Sequence, residues 1–204
     1  MNQSEPVVYV IDDDDAVRES INWLISSVDL EVQTFSSAGE FLDTCSSGQA
    51  GCLITDIRMP EISGLELQDE LNRRGWDIPV IVITGHGDVQ TAVRAMKAGA
   101  FDFIEKPFND QILLDLVNRA VMASAESLIE QIEQAEVKER MATLTPREKQ
   151  VLDMISIGDS NKNIAHQLEI SEKTVEVHRA RVMSKMQAKS LAALVKMVLS
   201  MDAD

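Results

Sequence analysis

Five short runs rich in β-branched and other apolar residues, at 7–11, 31–35, 52–55, 80–83 and 101–104, punctuate the first 123 residues. Amphipathic helical patterns fill the gaps, at 16–28, 38–45, 65–74 and 89–98, with another starting at Asp110. Strands that alternate with helices cannot pair as hairpins; they form a parallel sheet whose crossovers lie on its faces. Nearly continuous apolar strands imply that both faces are covered, so the fold class is α/β, doubly wound and five-stranded. Asp88 and Asn109, each just ahead of a helical pattern, are the expected N-caps of the last two helices.

An open parallel sheet does its chemistry beyond the carboxyl ends of its strands. Four of these runs end in polar residues: the first in Asp12 and Asp13, the third in Asp56, the fourth in Thr84, the fifth in Lys106. With strand order 2-1-3-4-5, the first and third strands are neighbours and their carboxylates converge. Three clustered carboxylates call for a cation, and an oxygen-only, water-open donor set suits Mg²⁺. An aspartate beside Mg²⁺ can attack a phosphoryl group, while a lysine and a hydroxyl take up the remaining oxygens. Asp56, Lys106 and Thr84 fit those three tasks. A phosphatase reading needs Asp-x-Asp-x-Thr/Val at one strand end, and Asp12-x-Asp14-x is followed by Ala16. A catalytic hydrolase is therefore not expected.

From Asp110 to about Met141 there is no Gly or Pro, so one long helix is expected, its segment 124–142 serving as a linker. Val121, Ala125, Leu128, Ile132 and Ala135 follow a 4-3-4-3 spacing, compatible with a helix pair or with packing onto the helix's own domain. Residues 143–204 are all helical pattern: 146–157, 161–168, 171–186 and 190–200. The second and third, joined by Glu169-Ile170-Ser171, describe a helix-turn-helix. On the third, Val175, His178, Val182 and Met186 share the face expected in the core. Lys173, Glu176, Val177, Ala180, Arg181 and Ser184 share the opposite one.

The net charge of −15 reads at first as hostile to nucleic acid, but it is unevenly spread. Residues 1–123 carry 21 acids and 8 bases; 124–142 carry 5 and 2; 143–204 carry 8 and 9; and within the last, 161–189 carry 3 and 6. Only the C-terminal domain can approach a polyanion. Two cysteines, seven residues apart, and three histidines assemble no zinc spacing. Without a basic leader or a long apolar run, a soluble cytoplasmic protein is expected.

The runs VIDDDD (10–15), TDIRMP (55–60), VITGHGD (82–88) and FIEKPF (103–108) resemble the four signatures of a response-regulator receiver domain. The sequence departs from them only at Gly85 and Asp14-Asp15, away from the chemistry. The resemblance implies that a sensor histidine kinase phosphorylates Asp56. It implies that Asp13, Asp56 and the Arg58 carbonyl hold Mg²⁺, with Asp12 acting through water. It places Thr84 and Lys106 on the phosphoryl group, Thr84 and Phe103 in the switch, and a cis bond before Pro107. Arg58 and His86 are expected to tune dephosphorylation. LTPREKQVL (144–152), SNKNIA (160–165) and ISEKTVEVHR (170–179) resemble the LuxR-type helix-turn-helix domain, so the whole is similar to a FixJ-type two-component regulator. That implies promoter DNA as partner, read in paired half-sites by a homodimer formed on phosphorylation, and RNA polymerase as a further partner. Expected DNA contacts are Lys162, Asn163, Lys173, Thr174, Glu176, Val177, Arg179, Ala180, Arg181 and Lys185. The expected dimer surfaces are 89–98 with 101–104, and the last helix through Leu191, Leu194 and Val198. The rival is a phosphotransfer or protein-interaction module that never touches DNA.

Overall fold

The computed structural model describes residues 5–85 and 89–200. The elements follow in the order β1 (Val7–Ile11), α1 (Asp15–Ser26), β2 (Glu31–Phe35), α2 (Ala38–Thr44), β3 (Gly51–Asp56), α3 (Gly64–Arg74), β4 (Val80–Thr84), α4 (Val89–Lys97) and β5 (Asp102–Glu105). Then come α5 (Asp110–Ala142), α6 (Pro146–Ser156), α7 (Asn161–Leu168), α8 (Glu172–Lys185) and α9 (Leu191–Leu199). The five strands form one sheet, parallel as the alternation of elements predicts, and its order is β2-β1-β3-β4-β5.

The twofold period of a strand divides the sheet's side chains between two cores. Val7, Tyr9 and Ile11 of β1 pack on one face with Phe41, Leu67 and Leu71 of α2 and α3. Val8 and Val10 pack on the other with Ile21 and Ile25 of α1 and Leu113 and Val117 of α5. Close backbone approach decides two glycines. A Cβ on Gly51 would lie 1.9 Å from the Val7 carbonyl oxygen, and one on Gly64 2.3 Å from that of Asp56.

The helix starts are written in polar residues. Asp14 caps α1, Ser63 and Glu66 form a reciprocal capping box on α3, and Thr145 and Glu148 form another on α6. Asn109 accepts from the Gln111 N–H at the start of α5, as expected. The expected cap Asp88 lies outside the described residues.

The chain divides into two compact units between Ile129 and Glu130, within the unbroken helix α5. The one long helix expected from Asp110 to about Met141 is thus a single element, and the division falls inside its segment 124–142. In the first unit, Ser124 is buried and accepts from the Gly51 N–H, and Ser127 bonds Asp77. In the second, Val137 is buried with Leu144, Val151, Leu152, Ile164, Val175, Val182 and Leu194. Of the heptad-spaced positions, Val121 packs in the core of the first unit, whereas Ile132 and Ala135 are exposed. Among the described residues, no helix is long and apolar enough to cross a membrane.

Candidate functional site

Parallel register carries the polar strand ends to one edge of the sheet. Ile11 pairs with Thr55 and Asp56 with Ile83, so Asp12, just past β1, lies beside Asp56 at the end of β3. Thr84 pairs with Glu105, and the Lys106 N–H donates to the Thr84 carbonyl at 2.7 Å. Lys106 therefore emerges over the same edge. Its Nζ donates to Asp12 Oδ2 at 2.7 Å and to Asp56 Oδ1 at 2.9 Å.

Asp12 and Asp56 are buried, and so is Thr84. Burial pulls the Lys106 ammonium down, but its hydrogen bonds and the charges of Asp12 and Asp56 outweigh that and hold its pKa above the ordinary lysine range. The second oxygen of Asp56 accepts from the Arg58 N–H at 2.6 Å, which folds the β3–α3 loop back over the carboxylate. Asp12 Oδ1 accepts from the Asp14 N–H, and the Asp12 carbonyl accepts from Arg18. The Lys106–Pro107 bond is cis, as expected.

The expected site residues separate into two groups. Asp12, Asp56 and Lys106 touch directly; Thr84 reaches the same edge; Phe103 is half-buried against the core on the α2–α3 face. Asp13 is exposed and lines an open groove with Arg58, Met59 and Pro60. Among the described residues no group of three carboxylates draws together, so the expected convergence is a buried pair bridged by lysine with the third acid at its rim. The donor chemistry still suits a hard divalent cation. All the protein donors are oxygens, and one ammonium balances only one of the two buried carboxylates. His86 lies outside the described residues.

Gly64 was not among the expected site residues. Its missing Cβ lets α3 start directly against the Asp56 carbonyl, and the sign of it is a glycine immediately after the helix cap Ser63.

In the second unit, α7 and α8 are joined through Glu169, in the left-handed region at φ 54°, and Ser171, which caps α8. Val175, Val182 and Met186 are fully buried. His178 is half-buried, its Nδ1 sealed without a partner. Lys173, Glu176, Val177, Ala180, Arg181 and Ser184 are all exposed, so α8 presents outward the face its spacing predicts. Lys162 and Asn163 are exposed at the start of α7; Thr174 and Arg179 are half-buried, the Thr174 hydroxyl bonded to Ser171.

Two expectations need correction. Lys185 is not free for a phosphate: its ammonium donates to Glu148 Oε2 at 2.6 Å and to the Thr143 carbonyl at 3.0 Å. Glu148 is buried, and a buried carboxylate demands a cation. With Lys185 as first cause and the Thr145 N–H next, its carboxyl is lowered to about 2. On α9, Leu194 and Val198 belong to the domain's own core; its outward apolar face is exposed Leu191 and Leu199 with half-buried Val195, around a shallow groove.

Residues 8–118 match the response regulator receiver domain and residues 142–198 the LuxR family of bacterial regulatory proteins. The chain is 52% identical over 199 residues to the transcriptional regulatory protein FixJ of Azorhizobium caulinodans, covering 98% of this chain and 94% of that one. It is 44% identical to the transcriptional regulatory protein TdiR of Thauera aromatica, covering 94% and 85%. Among solved structures it is similar to response regulator StyR (44% identity, TM-score 0.85, 96% of this chain and 99% of that one). It also matches full-length FixJ from B. japonicum (40% identity, TM-score 0.58, 98% of each).

Proposed function

The chain belongs to the response regulators that join a receiver domain to a LuxR-type DNA-binding domain, and from that premise we propose a phosphorylation-controlled transcriptional regulator with Asp56 as acceptor and α8 as the DNA-reading helix. The observation that carries this reading is the salt-bridged edge: Lys106 spans the buried carboxylates of Asp12 and Asp56. Asp12, Asp13, Asp56 and the Arg58 carbonyl are the oxygen donors that would hold Mg²⁺. When bound, the cation withdraws charge from the transferring phosphoryl oxygens.

The chain's own groups do the rest. The Arg58 N–H and the Lys106 ammonium hold the two Asp56 oxygens in place. One of them forms the new P–O bond as the P–N bond of the kinase's phosphohistidine breaks, the electron pair leaving on the imidazole nitrogen. Lys106 turns from the free carboxylate toward a phosphoryl oxygen, and the Thr84 hydroxyl, one residue beyond the Asp56–Ile83 pair, takes another. Thr84 then draws the β4 end toward the phosphoryl group, and Phe103 on the neighbouring strand is the side chain that repacks.

Readout follows from α8. Lys173, Arg181, Arg179 and Lys162 meet phosphates, while Glu176, Val177 and Ala180 face base edges and Asn163 and Thr174 flank them. Phosphorylation favours a homodimer through α4 and β5, where Val89, Val93 and Met96 are exposed, and two reading heads engage paired half-sites. RNA polymerase is the further partner, and the cytoplasm the compartment where kinase output and DNA meet. The test is labelling and mobility shift on the full chain. Asp56→Asn keeps the fold but takes up no phosphate, and wild-type phosphorylation sharpens the DNA shift. No shift with or without phosphorylation would leave only the phosphotransfer module.

A further inference from the structure

Asp56 sits at the carboxyl edge of the sheet; the opposite edge, where β4 and β5 begin, carries a cavity of about 320 Å³. Its walls come from the first unit alone: Gln68 of α3, Trp76 and Asp77 beyond it, Phe101 ahead of β5, and Ser124 and Ser127 of α5. Gln68 is the anomaly. It is 3% exposed, on the face of α3 that carries Leu67 and Leu71 into the core, and its carboxamide oxygen meets no hydrogen-bond partner among the described residues. A buried amide left unsatisfied costs stability, so a glutamine at such a position calls for a reason. Its amide nitrogen lies toward Gly99, which also lines the cavity, and the broad last torsion of glutamine lets oxygen and nitrogen exchange places. The neighbouring polar walls are committed: Asn72 donates to the Ala98 carbonyl at 2.9 Å, Ser124 accepts from the Gly51 N–H, and Ser127 bonds Asp77. What a ligand meets is acceptor chemistry, an amide oxygen and one carboxylate, with no lysine, arginine or histidine among the described lining residues. Trp76 and Phe101 add flat apolar surface. Arg74 and Arg119 stack on those rings, but each has its own acid, Glu70 and Asp102. The net −13 of residues 1–123 draws a cation in. The volume is at the small end for ligand pockets, room for one or two rings.

We propose that this cavity binds a small protonated aromatic amine or amidine, its ring against Trp76 and Phe101 and its N–H groups on the Gln68 carboxamide oxygen and the Asp77 carboxylate. Its occupancy does not depend on the chemistry of Asp56. Ser124 and Ser127 lie in the last turns of α5 before the division at Ile129. A ligand that spans Asp77 and these turns braces the helix where it leaves the first unit.

The test uses the full chain carrying Trp23→Phe, which removes the exposed one of its two tryptophans and leaves Trp76 as the reporter. Benzamidine, a cation, shifts Trp76 emission saturably at millimolar concentration. Benzamide, its neutral isostere, binds about tenfold more weakly, the scale of one charge-assisted contact, and the anion benzoate does not bind. Gln68→Met keeps the volume and removes the amide, so the fold stays intact while benzamidine affinity falls about tenfold. Asp77→Asn erases the preference for benzamidine over benzamide. With benzamidine bound, amide hydrogen exchange slows across residues 123–129. An unmoved Trp76 signal in folded protein overturns the site. So does equal binding of all three probes, or a Gln68→Met variant that binds as its parent does, which would leave the cavity to water. Unchanged exchange in the saturated protein overturns the brace.

Discussion

Lys106 faces two buried carboxylates with a single ammonium, and Glu148 is a buried carboxylate with a single lysine. The same physics serves opposite ends. At Lys106 the balance is incomplete, leaving the edge ready for more positive charge. At Glu148 it is complete: Lys185, the Thr145 N–H and the Glu148 N–H close the capping box. Lys185→Met therefore destabilises the C-terminal domain rather than weakening DNA contacts. Lys185 is about one-third exposed, so solvent screens the pair and the loss is about 1–2 kcal/mol, below the ~3–5 of a fully buried pair. Because the Glu148 carboxyl is lowered to about 2, its contribution is whole above the ordinary carboxylate range and disappears as pH falls through about 2. Denaturation of wild type and Glu148→Gln should show a gap that is constant near neutrality and closes in strong acid; a constant gap at every pH would remove the ion pair as its cause. Gly64→Ala makes a different residue-scale prediction. A methyl 2.3 Å from the Asp56 carbonyl pushes the loop that aims the Arg58 N–H at Asp56. Overpacking of this kind costs about 1–3 kcal/mol, and phosphate uptake should fall with stability.

At the scale of elements, α8 shows what periodicity can and cannot reveal. Its spacing separates Val175, Val182 and Met186 from Lys173, Glu176, Val177, Ala180 and Arg181, and burial divides them the same way. For the exposed face the expected consequences differ by residue type. Arg181→Ala lowers affinity about equally for all sequences and reduces the salt slope by about 1, whereas Glu176→Gln shifts preference at one base pair, by about 1–3 kcal/mol. Mobility shifts against a randomised half-site distinguish these; a sequence-selective loss from Arg181→Ala would make it a base reader. The strand ends were legible for a related reason: a parallel sheet has one chemical edge, so Asp56, Thr84 and Lys106 need only be counted to the ends of their strands. What escaped was set by side-chain partnership. Nothing in the spacing of Lys185 tells it from Arg181, and only the buried Glu148 explains the difference. That glutamate lies in a Thr-x-x-Glu capping box, the one local sign of it. Asp13 escaped likewise: past the end of β1 the spacing does not tell it from Asp12, yet Asp12 is buried against Lys106 while Asp13 is exposed and lines the groove. Leu194 and Val198 read as an interface because an apolar stripe is the same whether its own domain or a second copy covers it.

For the whole molecule the charge distribution becomes a prediction about DNA. Its net −15 comprises −13 in residues 1–123, −3 in 124–142 and +1 in 143–204. The four cations left for phosphates, Lys162, Lys173, Arg179 and Arg181, imply a salt slope of about −3 to −4 per reading head and about twice that for a pair, from roughly −0.9 for each phosphate neutralised. The acidic unit repels the same phosphates over a range set by the Debye length, about 10 Å at 0.1 M salt. The full chain should therefore bind random DNA more weakly than the compact unit 130–204 at low salt, with the two curves converging as salt rises. Specific binding by the phosphorylated dimer should suffer less, since paired heads add contacts that outweigh the same repulsion. Fluorescence anisotropy with both proteins from 50 to 300 mM salt (about 14 to 6 Å of Debye length) measures both effects. Curves that stay parallel over this range would show that the receiver does not act through its charge. Its control over DNA would then lie in geometry and dimerisation alone.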